Sequence, residues 1–543
     1  MNTTVDVRAS ETRYCIGIDF GTTHSGYAFA HRVDKIVKTN FNWNKQPQPY
    51  CKDRTSILYV RDAEDDYKPL AFGYHALAIY LQRRPLEHDD FYVEKFKLLL
   101  DPSCRESILL PPKTTVQVVI ADYLKYMKDL AIEALRAKFS GSFSEDYVLW
   151  CLTVPAIWTD KAKSIMRQAC LSVGMIQSLE SDRLLICLEP EAASVYLRHT
   201  PGAKPLIVGD TLSVCDCGGG TIDMSTYNIQ DRGKMSELIA SSGVLAGSTF
   251  IDSYFFAYVK NMVGVEAYDV ALTQSPSIEI SLLREWENIK RSFDGSKLDE
   301  QDFGVISLPN ILQKRMKQEE KSALAENQEF FDDVIWLSGK TIQGFFDKVI
   351  EKLVKALSEH LDQAEITTSN LLVVGGFAES RYLLHCLRRE FERDHLQILS
   401  ISEPGSAIIQ GAVLSGLDPT IVTARKSKLT YAIGSSEKFN SIHHDKSKRF
   451  WCDEQHCYMT KVLSVFVRSG QLVERDESIT HSFVPLIPSQ SQIKFKLYAT
   501  AEKHPCYPDD EGCHELASLK ITYPSDCIVD QNYKECQKNG NNA

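Results

Sequence analysis

The chain has 543 residues, 43% of them hydrophobic and 24% charged, with a formal net charge of -11. That length exceeds one ordinary core and predicts about two to four compact units. The acidic balance argues against a protein whose affinity comes from neutralising a nucleic-acid backbone, and no apolar run approaches the ~20 residues of a membrane span.

Residues 1–13 are polar, carry Asp6 and Glu11, and lack the basic-then-apolar order of a secretory leader. A flexible N-terminus is expected there. Fifteen cysteines at irregular spacing then fit the reduced thiols of a cytosolic or nuclear protein better than a disulfide framework. Three segments share one pattern, a β-branched apolar run that ends in Gly or Asp: Tyr14 to Thr23, Leu212 to Asp223, and Asn370 to Phe377. Each reads as a buried strand delivering its end to a turn. A further strand, Val148–Val154, stops at Pro155, and a helix follows with Thr159 or Asp160 as its N-cap.

Amphipathic spacing predicts helices over 120–138, 280–292, 341–360 and 380–394, and the charge-dense run 314–333 reads as a solvated helix or insertion. Strands and helices alternate to about residue 420, which argues for an α/β architecture. Beyond Pro419 the pattern changes to strands, expected at 464–468, 478–484, 492–498 and 516–522, and then to a polar tail at 534–543.

Binding a triphosphate with Mg²⁺ needs backbone N–H groups that can approach oxygen closely, and carboxylates that hold the metal through its waters. The segment Asp19-Phe-Gly21-Thr22-Thr23 offers both. So does Asp216-Cys-Gly218-Gly219-Gly220-Thr221-Ile-Asp223, because its glycines remove the Cβ atoms that would block the approach. One such turn alone is equally well a strand end with hydroxyl caps. Two of them, about 200 residues apart and each behind a buried strand, point to a phosphate clamp.

The pair resembles the two phosphate motifs of the actin, hexokinase and heat-shock ATPase superfamily, and Gly375-Gly376 after its strand resembles the adenosine motif. Residues 153–160, Leu188 to Ala193, Glu287 to Phe293 and Glu403 to Ala412 narrow the likeness to the 70-kDa heat-shock family. The resemblance covers about residues 14–418. It implies a two-lobed, ribonuclease H-like ATPase domain that holds ATP or ADP with Mg²⁺. Lobe I would span 14–200 and lobe II 201–418, with returns to lobe I near 190–205 and 400–418. By the same resemblance Asp19, Asp216 and Asp223 hold the metal's water and the attacking water, with Asp19 and Asp216 reaching the metal through water. Amides of residues 21–23 and 218–221 hold phosphate, and Glu189 lies near the first lobe's phosphate site. Gly247 stands in the second lobe's glycine–acidic segment, and Glu287, Lys290 and Arg291 grip the nucleoside. A lysine aimed at the γ-phosphate is Lys97 or its neighbour Lys95.

Several positions depart from the family pattern. Ser248 and Thr249 stand where carboxylates are expected, Asp294 where a serine meets the adenine, Phe377 where a small residue follows the glycines, and Gly405 where an Asp is usual. The C-terminal region resembles only part of a peptide-binding β-sandwich and lacks the helical lid, as in the atypical heat shock 70 kDa protein 12 branch. The implied function is a chaperone-like ATP-binding protein with slow turnover, whose β-rich region at 419–533 meets client or signalling proteins. A nucleotide-gated scaffold without turnover is the alternative, and a carbohydrate kinase of the same superfamily the weaker one. His443, His444, Cys452, His456 and Cys457, and later Cys506, Cys513 and His514, lack the paired short spacing of a zinc site. Cys215 and Cys217 alternate on a strand, which would bury both.

Overall fold

A computed structural model describes residues 11–522 except 83–89, 102–103, 105–107, 140, 142, 201–204, 301–302, 317–329, 332, 364–368, 393–395, 402 and 484–491. Most of the charge-dense run 314–333 and the whole tail 534–543 lie outside the described residues. The chain divides into two compact units. The first comprises 1–235 with 241–421, and the second 236–240 with 422–543.

The first unit is mixed α/β and holds two sheets built on one plan. In the first sheet β1 (Tyr14–Asp19) turns back antiparallel into β2 (His24–His31). On its other edge β1 runs parallel to β3 (Val148–Val154), and β3 parallel to β4 (Leu184–Leu188). The second sheet repeats this order. There β5 (Thr211–Cys217) turns back into β6 (Ile222–Ile229) and runs parallel to β7 (Asn370–Val374), which is parallel to β8 (Gln397–Leu399). The central strands β1, β3, β5 and β7 are buried along their whole length, as continuous apolar runs covered on both faces require.

Each sheet has its own core. Ile16, Ile18, Phe20, Tyr123, Trp150 and Met166 belong to one; Phe255, Trp286, Phe293, Phe346, Leu353 and Leu383 belong to the other. The helix Gly339–Asp362 keeps its apolar stripe against the second core, and the helix Asp160–Ser172 begins where the Thr159 hydroxyl accepts the Ala162 N–H. Cys215 and Cys217 are both buried. The helix Ala407–Leu417 lies on the first sheet, where Gly17 lets its backbone approach the strand, and Gly411 lets it approach the backbone of Ala192 on the helix Glu189–His199.

The second unit carries an antiparallel sheet ordered 449–452, 457–467, 430–438, 492–500, 514–522, with a separate pairing of Val422–Lys426 to Leu472–Glu474. The strand expected at 478–484 is a correction. Residues 478–483 are not in a strand, and Val484 lies outside the described residues. Pro485 and Pro488 follow, each without a ladder donor. Phe483 instead packs at 5.3 Å on Phe495, and His481 stacks at 4.2 Å on Phe466. Among the described residues no helix is long and apolar enough to cross a membrane.

Candidate functional site

The first glycine turn joins β1 to β2. A Cβ on Gly21 would strike the His24 carbonyl, so the turn closes only around glycine. Its amide donates to Ser25 Oγ at 3.1 Å, and its carbonyl accepts from Thr55 Oγ1 at 2.9 Å. The second turn joins β5 to β6. Gly218 N–H donates to the Thr221 carbonyl at 3.0 Å. The N–H groups of Gly21 and Gly218 are thus engaged inside their own turns.

The carbonyls of Gly218, Gly219 and Gly220 accept the amides of Ser248, Thr249 and Gly247 at 3.1, 2.9 and 3.1 Å, and Thr249 Oγ1 donates to the Gly219 carbonyl at 2.8 Å. This accounts for the hydroxyl of Thr249 where the resemblance implies a carboxylate: a hydroxyl can donate to a carbonyl, and an ionised carboxylate cannot. Gly247 packs its backbone directly on Gly219 and Gly220.

The two turns meet. A Cβ on Gly219 would lie 2.8 Å from Thr23 Oγ1, and one on Gly220 would lie 2.6 Å from Thr22 Oγ1. A small cavity touches Thr22, Lys97, Pro155, Trp158 and Thr221.

Behind the turns stand four buried carboxylates: Asp19, Glu189, Asp216 and Asp223. Asp216 and Asp223 are cross-strand partners in the β5–β6 hairpin. Asp223 Oδ1 accepts the Ile157 N–H at 3.1 Å, which ties the turn after Pro155 to the second sheet. Asp19 Oδ1 accepts from Thr153 Oγ1 at 3.3 Å, and Asp19 Oδ2 lies 2.6 Å from Lys52 Nζ. Lys97 Nζ donates to Glu189 Oε1 at 2.8 Å, with only 4% of the lysine exposed. The structure thus brings Lys97, rather than Lys95, to Glu189; Lys95 instead takes the left-handed backbone conformation (φ 59°) that opens the short turn of Lys97.

Among the described residues, four carboxylates face two ammonium groups here, so the cluster would be negative with all four ionised. Burial, followed by repulsion from Glu189, Asp223 and Asp19, pushes the Asp216 carboxyl well above the usual range. Its Oδ1 is buried without a hydrogen-bond partner. Burial also raises Glu189, to about 7, with Lys97 opposing and Asp223 and Asp19 reinforcing the rise. Burial opposes the charge on Lys52, yet Asp19 and the neighbouring Tyr50 and Cys51 more than offset it and hold the ammonium well above its ordinary range.

Next to this cluster Gly375 adopts φ +90°, and a side chain there would collide with the Asp216 carboxylate. Gly376 faces open space. On the helix Ile278–Ser292, Lys290 Nζ lies 2.7 Å from both Asp252 Oδ1 and Glu287 Oε2. Arg291 pairs with Glu287 at 2.9 Å and with Glu379 at 3.4 Å. Tyr50 donates to Glu379 at 3.2 Å. Asp294 turns away to Ser296, and Phe377 is buried in the second core. Sequence reasoning missed Lys52, Tyr50, Asp252 and Glu379. None of them belongs to a motif read from the sequence, and tertiary contact assigns each its partner. Among the described residues no group of three or more His, Cys, Asp or Glu is placed to hold a metal ion directly, the C-terminal Cys/His residues included.

Comparison with known proteins adds kinship to this geometry. A family described as "Domain of unknown function (DUF8340)" matches residues 209–398, which include the second glycine turn and the Gly375 turn. Heat shock 70 kDa protein 12B of Homo sapiens is 27% identical over an alignment covering 95% of this chain and 84% of that protein. Heat shock 70 kDa protein 12A of Homo sapiens is 26% identical, over 93% and 84%. The chain is thus similar to the atypical protein 12 branch of the 70-kDa heat-shock family. A chaperone protein HscA homolog of Rickettsia rickettsii, 24% identical, aligns with 74% of this chain but only 56% of its own length. The heat-shock likeness to protein 12 thus runs on into the C-terminal unit.

Proposed function

We propose that the chain is a nucleotide-binding protein of the actin-like ATPase fold. Two lobes, 14–200 and 201–418, would clasp ATP or ADP with Mg²⁺, and a β-rich region, 419–533, would serve client or signalling proteins. The observation that carries this reading is the meeting of Gly219 and Gly220 with Thr23 and Thr22 over a buried cluster that is short of positive charge. The donor set fits the group. Asp216 Oδ1 is buried without a partner, and the glycines leave no Cβ between the turns. A divalent cation would supply the charge that these carboxylates lack and orient phosphate oxygens. Asp19 and Asp216 would hold the metal's water shell, and Asp223 would orient water. Lys97, fixed by Glu189, would face the terminal phosphate, while Thr22, Thr23, Gly219, Gly220 and Thr221 would hold the phosphates. Glu287, Lys290, Arg291, Gly375 and Gly376 would bound the nucleoside. Phosphate release by the wild type, Thr22→Ala and Asp216→Asn tests the ATPase reading; equal rates in all three would defeat it.

The second reading, a nucleotide-gated interaction module with little turnover, is favoured by a specific observation. The ammonium of Lys290 is engaged by Asp252 and Glu287, and Arg291 by Glu287 and Glu379. Calorimetric binding of Mg-ATP without phosphate release would establish this reading. No binding of ATP or ADP would defeat both.

A further inference from the structure

Lys52 is the feature of the site that no motif accounts for. It lies just ahead of the strand pairing in which Ser25 faces Asp53 and His24 faces Arg54, so the hairpin that carries the first glycine turn also fixes this loop. Gly26 on β2 makes room for it. A Cβ there would strike the Cys51 carbonyl and sit 3.2 Å from Lys52 Cγ, so the lysine stem lies along the strand. The ammonium then reaches Asp19 Oδ2 at 2.6 Å, with 7% of the residue exposed.

An ammonium has three donors and no acceptor, and one contact with Asp19 leaves donors for another anion. Lys52 is also a compact point charge, the form in which lysine serves phosphate oxygens. We propose that Lys52 takes over part of the divalent cation's electrostatic work, so that this chain binds nucleoside diphosphate with a weaker dependence on magnesium than the same site would have without that ammonium. The inference rests on the nucleotide reading of the same site and goes beyond it in assigning the counter-charge to a side chain.

The test is calorimetric titration of the full chain with ADP, in excess magnesium and again in EDTA. For the wild type the dissociation constant is expected to weaken by less than about tenfold from magnesium to EDTA, under about 1.4 kcal/mol. Lys52→Met is expected to increase that magnesium dependence by at least about a further tenfold, and Lys52→Arg, which keeps the charge, to stay near the wild type. Wild-type binding that collapses in EDTA overturns the inference whether or not any variant folds. Equal magnesium dependence in the wild type and a folded Lys52→Met also overturns it. Absence of ADP binding in both buffers overturns the nucleotide reading itself, an outcome distinct from loss in EDTA alone.

Discussion

Replacing Asp216 by Asn should make the ligand-free protein more stable while removing its response to Mg-nucleotide. The carboxylate is buried, its Oδ1 has no hydrogen-bond partner, and its charge is raised in energy by burial and then by Glu189, Asp223 and Asp19, with Lys52 opposing. A buried polar group left unsatisfied costs about 1–3 kcal/mol, and more when charged. The isosteric amide removes the charge and keeps the shape, so a gain of about 1–3 kcal/mol is expected. One kcal/mol moves Tm by about 2–4 °C in chains of about 200 residues and by less in larger ones, so the rise should be a few degrees. The sign with pH follows from the direction of the shifts. Asp216 and Glu189 both sit above their unfolded values, Glu189 rising from 4.5 to about 7. Their contribution to stability is therefore complete below the ordinary carboxylate range and is lost as pH rises through the folded values. Wild-type Tm should fall between pH 5 and pH 8 by more than that of the Asn variant, which has lost one titrating group and relieved another. Differential scanning fluorimetry over that range, with and without Mg-ADP, is the assay. An Asn variant that melts lower at pH 8, or a pH slope equal to the wild type's, would refute the electrostatic reasoning.

Two further variants probe the same site. Lys97→Ala leaves Glu189 buried without its ammonium, which should cost about 3 kcal/mol in chemical denaturation at pH 8 and less at pH 5.5, where Glu189 is already protonated; a pH-independent cost would show that the pair is not the cause. Gly247→Ala places a methyl against the backbone of Gly219 and Gly220, an overpacking cost of about 1–3 kcal/mol, and should abolish ADP binding in titration through displacement of the second turn.

The glycine turns were legible because their signals are local. A buried strand announces itself as an apolar run, and a backbone that must pass close to other atoms announces itself as glycine. The N-cap at Thr159 and the stripe of the helix Gly339–Asp362 could be read for the same reason, being set by neighbours three or four residues away. That Lys97 rather than Lys95 meets Glu189 was not local, since the partner lies 92 residues further along the chain. Asp252 and Lys290 stand 38 residues apart, and in sequence each resembles a solvated helix charge. The strand Thr430–Lys438 was missed because only its first half carries the apolar alternation that marks a half-buried strand.

These non-local pairs have one physical feature in common. Each recruits a cation from elsewhere in the chain to a carboxylate that burial would otherwise make costly: Lys97 to Glu189, Lys52 to Asp19, and Lys290 to Asp252, the last shared with Glu287 three residues before it on the same helix. At the last of these, the bonds are complete within the protein, and Glu287 is accordingly held at about 2 despite its burial, which opposes the shift, through Lys290 and Arg291. Between the glycine turns the recruitment stops short, and the deficit falls on Asp216, the carboxylate beside which Gly375 has given up its side chain. A fold selected only for stability would have an Asn or a third lysine there. The unmet charge is what a ligand carrying its own cation would satisfy, and it lies behind the two glycine turns that meet in the first unit.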